Sequence, residues 1–240
     1  KHIKGAADAK RSKLFSKLAK EITVSARDGG GDPDLNARLR QAVTNAKKQS
    51  LPGDTIDRAI KKGTGEIEGV AYEEACYEGF GAGGVAIIVE VITDNTNRVF
   101  ADLRTIFNKN NGSIGNSGSV SYLFERRGEI KLPNNMETEE SLLEKAMNAG
   151  ALDMASDSEG HVVITLHDQL GEVASCLLQA GVEVESQQLI YMPQNVQEIT
   201  DASVARQVMR LFSALEDYDD TQNVFANFDI ADEIVEQIEL

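Results

Sequence analysis

Residues 79–84 read "GFGAGG" and satisfy the pattern G-x-G-x-x-G at Gly79, Gly81 and Gly84. In a dinucleotide-binding turn, such glycines carry a strand through a tight bend into a helix, whose first amides hold a pyrophosphate. The lead-in "YEEACYE" suits a strand, but the exit "VAIIVEVIT" (85–93) is apolar and β-branched, so a second strand follows instead of a helix. Asp102 stands where the ribose-binding acid would be counted, yet it falls inside a helical pattern rather than at a strand end. The spacing therefore predicts a glycine-rich connection between strands and no cofactor. Its backbone at Gly79, Gly81, Gly83 and Gly84 is flat enough to lie against another domain or a large partner.

Other reactive residue types are thinly spread. "DGGGDPDLN" sets Asp32, Asp34 and Asn36 at alternate positions of a calcium loop, but Ala37 and Val43 occupy the places that need glycine and glutamate. Helix capping explains those residues better. The acids of "EDYDD" (216–220) read as a solvated helix end. His2, His161 and His167 have no shared context, and Cys76 and Cys176 make neither a zinc site nor a disulfide framework. No nucleophile elbow, P-loop or acid/base pair is present, so the expectation is a protein that is not an enzyme and has no small-molecule substrate.

Charge is more informative. The 240 residues carry a net charge of −15, which on average argues against nucleic acid. Residues 1–65, however, hold 15 Lys/Arg against 7 Asp/Glu, whereas the other 175 hold 9 against 32. A basic end on an acidic body suggests a polyanion-binding module. Lys10, Lys13, Lys17 and Lys20 recur at helical spacing opposite Leu14, Leu18 and Ile22. Arg38, Arg40, Lys47, Lys48, Arg58, Lys61 and Lys62 extend the positive surface. Cations on flexible stems suit phosphate contacts, which orient a nucleic acid without reading its bases. The competing readings are a solvated face, or a face docked on the acidic body of the same chain. No helix-turn-helix, RRM aromatic set or zinc finger supports base reading.

The elements that must position these residues follow from periodicity. The first 65 residues predict three helices: about 8–27; a second with Leu35, Leu39, Val43 and Ala46 on one face; and a third with Ile56, Ala59 and Ile60. "KKGTGEIEG" reads as a linker over 63–69, where the charge changes sign and motion is plausible. Beyond it come a strand at 85–93, a helix at 94–110 with Val99, Leu103, Ile106 and Phe107 inward, and a hairpin of "SVSYLFE" and "GEIKL" turning at Arg127-Gly128. Residues 134–195 alternate helix, two strands, helix and strand, and 201–230 add a helix and a strand. The predicted fold is α+β and multidomain: a helical domain over 1–65, and an α+β middle domain over 66–132 and 196–240. A third domain over 133–195 is inserted in the second, both α+β domains being ferredoxin-like βαββαβ sandwiches.

Taken together, "KHIKGAADAKRSKLFSKLAKEI", "GGGDPDLNARLRQAV", "DTIDRAIKKG", "YEGFGAGGVAI", "DNTNR", "GSVSYLFERRG" and "LEDYDDTQNVFAN" resemble the YebC/PmpR family over essentially the whole chain. That family includes probable transcriptional regulators and mitochondrial translational activators. The resemblance implies three domains, the third inserted in the second, and a cytoplasmic, non-enzymatic regulator that touches DNA, or RNA on the ribosome. It maps a basic nucleic-acid-binding motif onto Lys1, Lys4, Lys10, Arg11, Lys13 and Lys17, and a "DN-x-NR" motif onto Asp94, Asn95, Asn97 and Arg98. The sequence departs from the family at Ala82, where proline is usual, and in "NNGSIGNSG". It begins at Lys1, so a short basic leader is expected to be missing. No apolar run approaches the roughly 20 residues of a membrane span, and the two cysteines fit a reducing cytoplasm.

Overall fold

The computed structural model describes residues 2–134 and 137–238. The chain forms two compact units, one of residues 1–123 with 195–240 and one of residues 124–194. The first unit opens with helices α1 (His2–Gly29), α2 (Ala37–Lys48) and α3 (Gly53–Thr64). Leu18, Ile22 and Ala26 of α1 pack with Leu39, Val43 and Ala46 of α2 and with Ile56 and Ala59 of α3. Leu14, expected in that stripe, is 39% exposed. Leu35 is also excluded from the core, because the helix starts two residues later than the apolar spacing suggested. The cap is Asn36, whose side chain accepts from the Leu39 amide at 3.0 Å and donates to Ser25 O at 2.7 Å and Gly30 O at 2.8 Å. One buried amide group thus starts α2 and ties it to the end of α1.

After α3 the unit continues with β1 (Glu73–Phe80), β2 (Ala86–Thr93), α4 (Thr96–Lys109) and β3 (Ser113–Ile114), and is completed by α7 (Ala202–Glu216) and β9 (Thr221–Ala226). The strands lie in the order β3-β1-β2-β9, every neighbouring pair antiparallel. Val85, Ile87, Val89 and Val91 pack against Val99, Leu103 and Phe107 of α4 and Val208, Leu211 and Leu215 of α7. A βαββαβ sandwich uses the same arrangement in space, but here the chain runs ββαβ…αβ, so the strand expected third comes first. Short parallel strands β8 (Gln197–Ile199) and β10 (Phe228–Ile230) and helix α8 (Asp232–Ile238) complete this unit.

The second unit comprises β4 (Phe124–Pro133), α5 (Glu139–Asn148), β5 (Asp153–Ser156), β6 (Gly160–Leu166), α6 (Leu170–Gln179) and β7 (Ser186–Pro193). Its strand order is β5-β6-β4-β7, with Ile130, Leu132, Leu142, Val163, Val173 and Leu177 in the core. This is a βαββαβ sandwich. The hairpin expected at Arg127-Gly128 does not form: 124–133 is one unbroken strand, and Ser121–Leu123 is a 3₁₀ turn. Gly128 is there for close approach. A Cβ at this position would stand 2.2 Å from Thr165 Oγ1 and 3.0 Å from Leu170 Cβ. Because β4 pairs with β6 and β7, the expected boundary at 132/133 moves to 123/124.

Candidate nucleic-acid interface

The predicted cations divide into two groups. Three on α1 turn onto the end of α7 in the same unit, whereas Lys10 and Arg11 of that helix are exposed. Lys13 Nζ donates to Asp217 O at 3.1 Å, Lys17 Nζ to Glu216 O at 2.5 Å and Lys20 Nζ to Asp219 O at 3.1 Å. Glu216 O and Asp217 O are carbonyls left without amide partners where α7 ends, at the negative pole of its dipole, and Asp219 O lies in the turn just beyond. Lys13 also lies 3.2 Å from the Asp219 carboxylate, and Lys20 is buried in an ion pair with Asp220. Burial pushes the Lys17 ammonium below its ordinary range, with Asp217 and Glu216 partly offsetting it. Further along the same joint, Arg27 donates to Tyr72 O, and Arg38 bridges Glu21 at 2.9 Å and Glu74 at 2.5 Å.

Asp220 is the centre of this joint. It accepts from Lys20, from Arg98 Nη2 at 2.6 Å and from Thr93 Oγ1 at 2.8 Å. Burial alone would raise its carboxyl, but those three donors outweigh it and hold the group below the ordinary aspartate value. Arg98 is aimed by its own motif: Asn95 caps α4 by accepting from the Arg98 amide at 2.9 Å, and Asp94 pairs with the guanidinium at 2.8 Å. Asn97 is exposed. A cleft of about 420 Å³ opens beside the joint, lined in part by Ser16, Lys20, Tyr72, Asp102 and Tyr218. Burial and a 2.8 Å hydrogen bond to Asp102 push the Tyr218 hydroxyl up to about 12.

The second group points to solvent. Arg40, Lys47, Lys48, Arg58, Lys61 and Lys62 are exposed on α2 and α3, with only Asp54 and Asp57 as acids on those helices. Arg40 bends back to Pro33 O at 3.1 Å. Lys10, Lys47, Arg58, Lys61 and Lys62 have no ion pair among the described residues. Arg11 sits 5.1 Å from the Phe15 ring centroid and leaves its donors exposed. Lys1 lies outside the described residues, as does the side chain of Lys4.

"GFGAGG" is the β1–β2 connection. Gly83 and Gly84 have φ of 70° and 80°, which closes the turn, and Gln197 Nε2 donates to Gly83 O at 2.6 Å. Gly79 and Gly81 are buried, Gly79 within 2.6 Å of Ser113 O were a Cβ present, so only Gly83 and Gly84 offer an exposed backbone. The loop makes a single 3₁₀ turn at Ala82–Gly84 and leads into β2 instead of an α-helix, and the amides of Gly81 and Gly84 are spent on Val85 O and Gly81 O. Among the described residues, no group of three His, Cys, Asp or Glu side chains is placed to hold a metal.

Residues 1–66 match the TACO1/YebC protein N-terminal domain, and residues 72–228 match the TACO1/YebC second and third domain. The chain belongs to the TACO1/YebC family. It is 48% identical to a probable transcriptional regulatory protein of Desulfotalea psychrophila, covering 99% of this chain and 95% of that one. It is 49% identical to one of Geobacter sulfurreducens, covering 99% and 96%. A crystal structure of a conserved hypothetical protein from Aquifex aeolicus superposes with a TM-score of 0.89 at 47% identity, covering 95% of this chain and 94% of that one. No described helix is long and apolar enough to cross a membrane.

Sequence reasoning missed the role of the acidic 216–220 segment, which was expected to be solvated. A signal was present. Acids at a helix C-terminus oppose the dipole, so such a cluster calls for cations from elsewhere, and the lysine face of α1 supplies them.

Proposed function

We propose that this protein is a non-enzymatic regulator of gene expression that grips the phosphate backbone of duplex DNA with α2 and α3. The observation that carries this reading is the division of the cations: Lys13, Lys17 and Lys20 of α1 are spent within the molecule, whereas Arg40, Lys47, Arg58, Lys61 and Lys62 remain exposed. On α3, Arg58, Lys61 and Lys62 are spaced i, i+3 and i+4, so they share one face. Arg40 and Lys47 on α2 are two turns apart and share another. Both stripes suit phosphates. The names of the relatives, probable transcriptional regulatory proteins, favour transcription over other nucleic-acid roles.

Five phosphate contacts by α2 and α3 predict that log K falls with log salt at a slope of about −4.5 or steeper. Anisotropy titrations of a 20-base-pair duplex from 50 to 300 mM NaCl measure it, and a slope near zero would remove the reading. The absence of a base-reading motif suits RNA equally well. Promoter footprinting compared with co-sedimentation on ribosomes separates the two: protection of promoter DNA supports the transcriptional reading, and ribosome association without protection replaces it with a translational one.

A further inference from the structure

The bundle core and the sheet core of the first unit share no residue. What joins them is charged: Lys13, Lys17 and Lys20 on the end of α7, and Arg38 on Glu74. Such a joint is screened by salt and held by groups that phosphate can also satisfy. Three of the acceptors are main-chain carbonyls, which lose little when water replaces a lysine.

Asp220 is the exception, because a buried carboxylate stripped of its partners is costly. It is not stripped when Lys20 leaves. Arg98 and Thr93 belong to the sheet domain and stay with Asp220 whatever α1 does. The "DN-x-NR" segment therefore keeps the carboxylate satisfied in either state, and lets Lys20 depart.

From this geometry we infer that the α1 lysines form an autoinhibitory latch: the 216–220 segment occupies cations that a nucleic-acid phosphate backbone competes for, and binding swings the bundle off the sheet. This inference rests on the phosphate-gripping reading above. The linker that permits the motion follows Gly65, the left-handed cap of α3, and runs to β1 at Glu73. Opening would add up to three lysines to the five outward cations, so the slope of the full chain should reach about −7, against about −4.5 if the joint stays closed.

The experiment uses the full chain with Cys76→Ser and Cys176→Ser, spin-labelled at Asn45→Cys on α2 and Arg210→Cys on α7, both exposed positions. Pulsed dipolar distances are measured with and without a 20-base-pair duplex, beside duplex affinity at 100 mM NaCl. Duplex should lengthen and broaden the distances. Asp219→Asn/Asp220→Asn should bind at least threefold more tightly than the parent chain, and Lys13→Gln/Lys17→Gln/Lys20→Gln should open the joint with no gain in affinity. Tight binding with an unchanged distance distribution would overturn the latch alone, and this readout needs no variant of the acidic segment to fold. No binding by the parent chain would overturn both the latch and the function it rests on. A folded Asp219→Asn/Asp220→Asn chain with unchanged or weaker binding would also overturn the latch.

Discussion

Helix α1 and the pair α2–α3 carry cations in similar density and put them to opposite use. Lys13, Lys17 and Lys20 finish the C-terminus of another helix, about 200 residues away in sequence. Lys47, Arg58 and Lys61 are exposed, with no ion pair among the described residues. Net charge and helical spacing are similar in both cases, so neither decides which lysine is available to a partner. What decides it is whether an unsatisfied helix end lies opposite.

The sharpest test of that contrast is charge reversal. Lys47→Glu/Arg58→Glu/Lys61→Glu should weaken duplex binding by roughly 100-fold or more at 100 mM salt, since three phosphate contacts become repulsions. Neutralising the α1 trio to glutamine should change affinity by less than about fivefold. Equal losses in the two variants, measured by anisotropy, would erase the distinction. Next in size, Arg98→Ala leaves buried Asp220 with Lys20 and Thr93 only, and should cost about 2 kcal/mol in urea denaturation. Lys20→Met removes one of Asp220's three donors and should cost about 1 kcal/mol, while Lys61→Met should stay within about 0.5 kcal/mol.

The smallest effect is on pH. Asp220 is held below its ordinary value, so the stability it lends is complete above about pH 4 and is lost as pH falls through its lower folded value. Glu78 behaves alike: burial opposes ionisation, but the amides of Val120, Gly118 and Ser121 outweigh it. Denaturation midpoints from pH 6 to 2.5 should therefore fall below about 4, and Glu78→Gln should flatten part of that fall. A midpoint that is level through pH 3 would contradict both assignments.

Much of this was legible in the sequence. A continuous apolar, β-branched run gave β2, period-3.6 runs gave α4, α6 and α7, and the charge asymmetry singled out the helical segment. β4 was misread because Gly128 followed Arg127, a pair that also ends strands; only the facing Thr165 and Leu170 show why glycine sits mid-strand. Leu35 was misplaced because the true cap, Asn36, is fixed by long-range bonds to Ser25 and Gly30 rather than by local spacing. The joint was the least visible feature, since pairing Lys20 with Asp220 requires knowing that α7 returns to the sheet after the second unit.

That return has a kinetic consequence. During synthesis the three-helix bundle emerges complete by residue 64, whereas Asp220 follows more than 150 residues later. At roughly 5–20 residues per second the gap lasts on the order of 10 to 30 seconds, far longer than a small helical bundle takes to fold. Each newly made molecule therefore passes through an interval in which α1 is folded and its lysines have not yet met their carbonyls.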